Sequence, residues 1–149
     1  MRLVKLDALL LEIAIEAERD PVTAARAADE HYKTQALTPP ASAYAVLDRD
    51  VLVAAGGFLI HWKGRAEAWS LISRHARPRQ LVKAVRMARI VIDECQRDGA
   101  FRRVEMLVRA ECPWALSFAQ ALGFAAEGRL HAWDPLGRDM LLFARIKGG

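Results

Sequence analysis

The chain has 149 residues, of which 53% are hydrophobic and 27% are charged. This composition excludes an intrinsically disordered chain, and the length suits a single domain over residues 1–149 with its own hydrophobic core. The formal net charge of +4 at pH 7 fits a nucleic acid, a polyphosphate or no anion at all. None of the usual nucleic-acid-binding motifs is present, so nucleic acid is not the expected partner.

Cysteine and histidine spacing excludes a disulfide framework and a metal site. Cys95 and Cys112 lie far apart without CxxC spacing, and the four histidines show no ligand spacing such as HxxxH. No run approaches ~18 consecutive apolar residues, so no transmembrane helix is expected. Acidic residues interrupt the apolar N-terminal stretch, which argues against a signal peptide. We therefore expect a cytoplasmic protein.

The first half of the chain predicts helices followed by an antiparallel meander of three strands. Asp7 and Asp20 are typical helix N-caps, and Pro21 suits the first helical position. Gly56-Gly57 inside one strand indicates a bulge or a close approach between backbones. The predicted elements are a strand over 2–6, helices over 8–19 and 21–36, and strands over 43–47, 51–61 and 66–73.

The second half adds helices that connect strands. The clearest helix covers 78–98 and places Leu81, Val85, Ala88, Ile92 and Cys95 on one face. The other predicted elements are a strand over 102–108, a helix over 113–122 that Gly123 ends, and a hairpin of 124–133 with 138–146 around the turn Asp134-Pro135-Leu136-Gly137. A meander combined with helical connections predicts an α+β fold.

A basic junction separates the third meander strand from the long helix. Residues 72–85 read ISRHARPRQLVKAV and contain Arg74, Arg77, Arg79 and Lys83 but no glycine. Positive charge where a helix begins favours a bound anion such as a phosphate. Phosphate loops usually contain glycines, which let backbone N–H groups approach the ligand closely.

Two segments resemble sequence patterns of the GNAT superfamily of acyl-CoA-dependent N-acyltransferases. Residues 112–124, CPWALSFAQALGF, resemble the pattern N-x-x-A-x-x-F-Y-x-x-x-G-F. The matching residues are Ala115, Phe118, Gly123 and Phe124. Cys112 stands where asparagine is usual, and Ala119 stands where tyrosine is usual.

The basic junction lies where the family has the pattern R/Q-x-x-G-x-G/A. Arg77 matches its first position, whereas Gln80 and Val82 replace the two glycines. The order of elements resembles the family over nearly the whole chain. The GRAEAW and GRD elements also resemble GNAT-like proteins of phage and prophage genomes.

The resemblance implies an α/β/α layered fold with a mixed, mostly antiparallel central sheet, flanked by about four helices. Strands 66–73 and 102–108 would form a splayed parallel pair that holds acetyl-CoA as cosubstrate. The pantetheine amides would pair with backbone groups near the end of the first strand, and the pyrophosphate would lie near residues 74–83. The implied cofactor-binding residues are Leu71, Ile72, Ser73, Arg74, Arg77, Arg79, Gln80, Val82, Cys112, Ala115 and Phe118.

Acyl transfer to an amine requires a base, an oxyanion donor and an acid for the leaving thiolate. Glu67 is the only carboxylate in strand 66–73 and is the candidate general base, through a water; the alternative is a solvent-facing charge. A backbone N–H at the strand end is the candidate oxyanion donor. The candidate acids, in place of the missing tyrosine, are Cys112, Ser117, Tyr44 and His131.

Other conspicuous residues have structural interpretations. Trp62, Trp69, Trp114 and Trp133 are expected in the core or lining a groove. Arg102-Arg103 is expected to be solvated charge beside a strand. Glu105 is either a second carboxylate of the site or an outward-facing residue.

Three hypotheses follow for function. The first is an acetyl-CoA-dependent N-acetyltransferase that acts on a small-molecule or protein amine by direct attack. The second is a non-catalytic GNAT-like structural or interaction protein with a degenerate CoA site, for example a phage-associated one. The third, a nucleic-acid-binding module, depends only on the basic charge. A homodimer formed through edge strands is compatible with the first two hypotheses.

Overall fold

Seven strands form one mixed sheet in the computed structural model, which describes residues 1–39 and 42–148. They are β1 (Arg2–Lys5), β2 (Ser42–Asp48), β3 (Val51–Trp62), β4 (Gly64–Ile72), β5 (Phe101–Arg109), β6 (Ala125–Leu130) and β7 (Met140–Ile146). Their order in the sheet is β1-β2-β3-β4-β5-β7-β6. The β4–β5 pair is parallel, whereas β1–β2, β2–β3, β5–β7 and β6–β7 are antiparallel. The mixed, mostly antiparallel sheet expected from the sequence is confirmed.

The same described residues contain five α-helices rather than the expected four. The helices are α1 (Ala8–Ala17), α2 (Pro21–Ala27), α3 (Glu30–Leu37), α4 (Pro78–Arg97) and α5 (Pro113–Ala121). The additional helix arises because the predicted helix over 21–36 is two helices. The carboxylate of Asp29 accepts a hydrogen bond from the N–H of Tyr32 at 3.2 Å, so Asp29 caps a new helix and the alanine-rich run is interrupted there.

The other predicted helix boundaries follow from local capping. Asp7 accepts a hydrogen bond from the N–H of Leu10 at 2.8 Å, and Asp20 accepts one from the N–H of Thr23 at 3.2 Å. Gly123, at φ +90°, ends α5 in the left-handed region that favours glycine. The helix predicted over 8–19 ends two residues earlier, at Ala17, because the following residues pair with β4.

The β2–β3 hairpin depends on a close approach at the predicted glycine pair. A Cβ added at Gly57 would lie 2.1 Å from the carbonyl oxygen of Ser42, and one added at Gly56 would lie 2.7 Å from the carbonyl oxygen of Trp69. The irregularity in register lies instead between Val46 and Leu47. Of the two alternatives, close backbone approach is therefore correct for the glycines, and the bulge lies elsewhere.

The residues of the chain form two compact units, which are defined by the contacts within each unit. The first unit is Met1–Ile60 with Ala68–Met87, and the second is His61–Glu67 with Ala88–Gly149. In the first unit, α1, α2 and α3 contribute Leu11, Ala14, Ala27 and Ala36 to a buried cluster with β2, β3 and the end of β4. Leu71 and Trp69 are the β4 members of that cluster.

In the second unit, β5 pairs with the first half of β4 and with β7. The parallel register runs from Gly64 opposite Phe101 to Glu67 opposite Glu105. Val104 of β5 is fully buried, and α5 contacts β5. The predicted hairpin turn is confirmed by a hydrogen bond from the N–H of Gly137 to the carbonyl of Asp134 at 2.9 Å, although its strands are shorter than predicted. In the described part of the chain, no helix is long and apolar enough to cross a membrane.

Candidate active site

Glu67 lies at the last described pair of the parallel β4–β5 register. Its side chain is only 14% exposed, so it is not simply a solvated surface charge. Carboxylate Oε2 lies 3.1 Å from Nε2 of His61, at the end of β3. An imidazole beside a carboxylate can share a proton with it and pass that proton to solvent.

Glu105, the residue opposite Glu67 in the register, is paired with arginine side chains. Two guanidinium nitrogens of Arg65 donate to its two carboxylate oxygens at 2.8 and 2.9 Å. Nε of Arg103 donates to the same carboxylate at 2.7 Å, and the Arg103 guanidinium also donates to Glu127. Glu105 is therefore a buried carboxylate compensated by two arginines, and the expectation of solvated charge at Arg103 is wrong.

This network sets the protonation of Glu105. The hydrogen bonds from Arg65 hold the pKa of Glu105 below its usual range, and those from Arg103 act in the same direction. The Arg65 guanidinium also lies 4.1 Å from the ring centroid of Trp62, a cation–π contact. A carboxylate so strongly paired is a poor base.

The loop after β4 is held by Gln80 rather than by glycine-rich backbone. The side-chain oxygen of Gln80 accepts a hydrogen bond from the N–H of Arg77 at 2.8 Å. The side-chain amide of Gln80 donates to Asp48 at 2.9 Å and holds the pKa of that carboxyl below its usual range. The side chain of Gln80 thus accepts the N–H of Arg77, a kind of backbone group that binds the anion in a phosphate loop. Gln80 also holds the carboxylate of Asp48 beside this loop.

The basic side chains of the loop are exposed. Arg77 and Arg79 lie at the exposed start of α4, and Val82, 51% exposed, follows one turn later. The guanidinium of Arg74 donates to the carbonyl of Glu16. Ser73 is buried, and its hydroxyl accepts a hydrogen bond from the N–H of His75 at 3.1 Å. The loop therefore presents Arg77 and Arg79 to solvent, whereas Arg74 already has a backbone partner.

Backbone groups at the end of β4 have partners within the chain. The N–H of Ile72 donates to the carboxylate of Glu18 at 2.9 Å, and its carbonyl accepts from the N–H of Arg19 at 3.0 Å. The N–H of Ser73 donates to the carbonyl of Val53 at 3.0 Å. The N–H and C=O of Ile72 and the N–H of Ser73, which belong to the backbone groups proposed for pantetheine and the oxyanion, thus have partners in this structure, and the assignment stays a prediction.

The second sequence motif forms the start of α5. Cys112 is buried and precedes the helix without a side-chain capping bond, and Pro113 takes the first helical turn. Ala115 and Phe118 are half-buried, whereas Ala119, at the position of the usual tyrosine, is completely buried. Alanine at this position provides no hydroxyl, so α5 contributes no acid there.

The other candidate acids are dispersed. Tyr44 lies half-buried on β2, Ser117 is exposed on α5, and the exposed His131 lies 3.2 Å from the carboxylate of Asp139. Three of the four tryptophans are also not core residues: Trp62, Trp114 and Trp133 are exposed, and Trp69 alone is buried among them.

Several residues with a role here carried no sequence signal. His61, Arg65 and Glu18 acquire their partners through the fold, over separations of 6, 40 and 54 positions. Alternation along β4 places Arg65 and Glu67 on one face, but the partners on β3 and β5 depend on the register. In the part of the chain described, no group of three histidine, cysteine or acidic side chains is arranged to hold a metal ion.

Comparison with known proteins gives structural but no sequence relatives. No protein-family model matches the sequence, and no curated protein matches it. A ribosomal L7/L12 alpha-N-protein acetyltransferase in complex with coenzyme A is similar in structure, with a TM-score of 0.77, 13% identity, and coverage of 97% of this chain and 92% of that one.

Two further solved structures show the same similarity. The Escherichia coli ribosomal-protein-S18-alanine N-acetyltransferase has a TM-score of 0.75 at 16% identity, covering 99% of this chain and 94% of that one. A spermidine N-acetyltransferase SpeG chimera from Vibrio cholerae and hSSAT has a TM-score of 0.74 at 15% identity, covering 98% and 95%. These similarities span almost the whole of each chain.

Proposed function

Because the chain has the fold of GNAT N-acetyltransferases, we propose that it transfers an acetyl group from acetyl-CoA to an amine. The observation that carries this proposal is the structural similarity to N-acetyltransferases over 97–99% of the chain, including one in complex with coenzyme A. The position of Glu67, at the end of the parallel register, supports it because a base is needed beside the reacting thioester.

The pyrophosphate of acetyl-CoA is proposed to bind at the start of α4. The first turn of a helix has N–H groups without intrahelical partners, and Arg77 and Arg79 lie there, exposed. Arginine binds phosphate through paired hydrogen bonds. The carboxylate of Asp48, bonded to Gln80, opposes an anion. We therefore expect guanidinium groups to provide most of the contact, with a lower affinity than a glycine-rich loop gives.

The chemistry assigned to the chain is direct transfer with Glu67 as base. The amine attacks the thioester carbonyl, the C–N bond forms, and the C–S bond breaks with release of the CoA thiolate. Glu67 removes the proton of the attacking amine, through a water, and His61 at 3.1 Å stabilises the protonated carboxyl or accepts its proton. The leaving thiolate takes its proton from water, since Ala119 supplies no acid.

The acceptor belongs to the general class of amines, either a small molecule or a protein. We propose a cytoplasmic location because the two cysteines, Cys95 and Cys112, are both free thiols in the structure. The edge strands of the sheet, β1 and β6, are the proposed surfaces for a homodimer.

A thiol-release assay with acetyl-CoA tests the proposal. The panel of acceptors contains a polyamine, free amino acids and peptides with a free N-terminus. With an accepted amine, Glu67→Gln should lower kcat by about 10²-fold or more, as expected for loss of general-base catalysis. Glu94→Gln, an exposed carboxylate on α4, is the matched control and should retain activity. Equal activity of Glu67→Gln and wild type would contradict the assignment of the base.

A non-catalytic GNAT-like protein, for example a phage-associated structural or interaction protein, is the second candidate. It is favoured by the occupied backbone groups of Ile72 and by the Gln80–Asp48 pair at the proposed phosphate site. Absence of acetyl-CoA binding in both the wild type and Glu18→Ala, which removes the acceptor of the Ile72 N–H, would favour this candidate.

A further inference from the structure

A short segment of the chain pairs with the end of β4 like an additional strand. This segment, Ala17–Arg19, follows α1 and is called the strap. Glu18 and Ser73 form an antiparallel bridge. The N–H of Arg19 donates to the carbonyl of Ile72 at 3.0 Å, and the N–H of Arg74 donates to the carbonyl of Ala17 at 2.8 Å. The strap therefore satisfies backbone groups on both sides of Ser73.

The strap lies on the edge of β4 opposite to β3. Ser73 donates its N–H to Val53 of β3 at 3.0 Å, so its backbone groups face β3. Successive residues of a strand direct their N–H and C=O groups to opposite edges. Ile72 and Arg74 consequently face away from β3, toward the edge that the strap occupies. An extended ligand with amide groups can bind only a strand edge whose N–H and C=O groups are available.

Glu18 fixes the strap on this edge. Its side chain is buried, with the residue only 5% exposed. One carboxylate oxygen accepts the N–H of Ile72 at 2.9 Å, and the other accepts the N–H of Asp20 at 3.3 Å. The guanidinium of Arg19 adds a hydrogen bond to the carbonyl of Ser73 at 3.0 Å. A buried carboxylate is expensive to desolvate, and hydrogen bonds to it are among the stronger kinds.

We propose that the strap is an autoinhibitory contact, in which Glu18 closes the β4 edge to the pantetheine chain of acetyl-CoA. This inference rests on the proposed function, since the ligand is the cosubstrate named there. Acetyl-CoA and the strap compete for the same N–H and C=O of Ile72. The apparent affinity for acetyl-CoA therefore equals the intrinsic affinity multiplied by the fraction of molecules in which the strap is released.

The test combines amide hydrogen exchange with acetyl-CoA titration calorimetry on the full chain. Glu18→Ala removes the acceptor of the Ile72 N–H, Glu18→Gln retains an acceptor oxygen, and Glu16→Ala is the matched control because Glu16 is exposed. In Glu18→Ala, the amides of Ile72 and Arg74 should exchange at least about tenfold faster than in wild type. Acetyl-CoA should bind this variant about tenfold or more tightly than wild type, with Glu16→Ala unchanged and Glu18→Gln intermediate.

The two measurements separate this inference from the proposed function. Unchanged exchange at Ile72 and Arg74 in Glu18→Ala would overturn the role of Glu18 in holding the strap. Binding of acetyl-CoA to wild type without loss of protection at the Arg19 amide, which donates to the carbonyl of Ile72 when the strap is in place, would overturn the competition. Faster exchange without any binding of acetyl-CoA would support the strap as a releasable cover and would reject acetyl-CoA as the ligand, and with it the proposed function and the autoinhibition.

Discussion

Replacing Gly57 by alanine is a stringent test of the close β2–β3 approach. The new Cβ would lie 2.1 Å from the carbonyl oxygen of Ser42 and 2.8 Å from the Cα of Ala43, and both are backbone atoms of the facing strand. Ordinary contact begins near 3.4 Å, so the two strands must separate locally by more than an ångström. A strand spacing of about 4.8 Å does not accommodate this without loss of ladder hydrogen bonds.

The expected cost is obtained from two contributions. Overpacking costs about 1–3 kcal/mol, and each weakened ladder hydrogen bond costs roughly 1 kcal/mol more. We therefore expect Gly57→Ala to lower the free energy of unfolding by about 3 kcal/mol, which corresponds to a melting temperature lower by roughly 6–12 °C for a chain of this size.

Gly128→Ala is the matched control, because an added Cβ there meets nothing within 4 Å. It should stabilise the protein by about 0.4–1 kcal/mol through a less flexible unfolded chain. Urea-induced unfolding followed by tryptophan fluorescence measures both variants. A Gly57→Ala protein within about 0.5 kcal/mol of wild type would refute the close approach, on the usual scale of neutral surface changes. An equal loss of unfolding free energy in Gly57→Ala and Gly128→Ala would show that the loss comes from replacing a glycine as such, and not from the contact between β2 and β3.

Three further predictions concern charge. Because Arg65 lowers the pKa of Glu105 from its ordinary 4.5, this carboxylate stabilises the fold above that pH, and its contribution is lost as the pH falls through the lowered pKa. Glu105→Gln should therefore flatten the acid limb of the plot of melting temperature against pH. An unchanged acid limb would contradict the pairing. Glu105→Ala leaves the half-buried Arg65 and Arg103 without their shared acceptor. It should lower the free energy of unfolding, measured by urea titration, by about 2–4 kcal/mol. A loss below about 0.5 kcal/mol would argue that this network does not stabilise the fold. Asp48→Asn removes the carboxylate beside the proposed phosphate site and should tighten acetyl-CoA binding by about threefold in low salt, an effect that should shrink as ionic strength rises; calorimetry that shows equal or weaker binding would place the phosphates elsewhere.

The fold was predictable where the determining interaction is local. Asp7, Asp20 and Gly123 act within one helical turn, and the Asp134–Gly137 turn closes on itself, so their sequence signals were sufficient. The break at Asp29 is not predictable from the sequence, because the alanine-rich run predicts helix on either side of it. What defines the cap is the hydrogen bond from the N–H of Tyr32 to the carboxylate of Asp29, which the structure provides.

The candidate site was less predictable because its contacts join distant positions. Glu67 is predictable as the single carboxylate in its strand, whereas the role of His61 depends on the β3–β4 turn and that of Arg65 on the register with β5. Glu18 belongs in sequence to a segment predicted as helix. It becomes a buried acceptor only through pairing with Ile72, 54 positions away.

The binding of acetyl-CoA to the folded chain tests the central claim most directly. Melting temperature is measured for the wild type, for Glu18→Ala and for the double variant Arg77→Ala, Arg79→Ala, across acetyl-CoA concentrations up to the millimolar range. At about 100 times the Kd, a ligand that binds only the folded state adds roughly 2.7 kcal/mol, or about 5–10 °C here. We predict a saturable rise for wild type, a rise at lower concentration for Glu18→Ala, and no rise for the double variant. No rise at millimolar acetyl-CoA in either wild type or Glu18→Ala would contradict the proposed acetyltransferase.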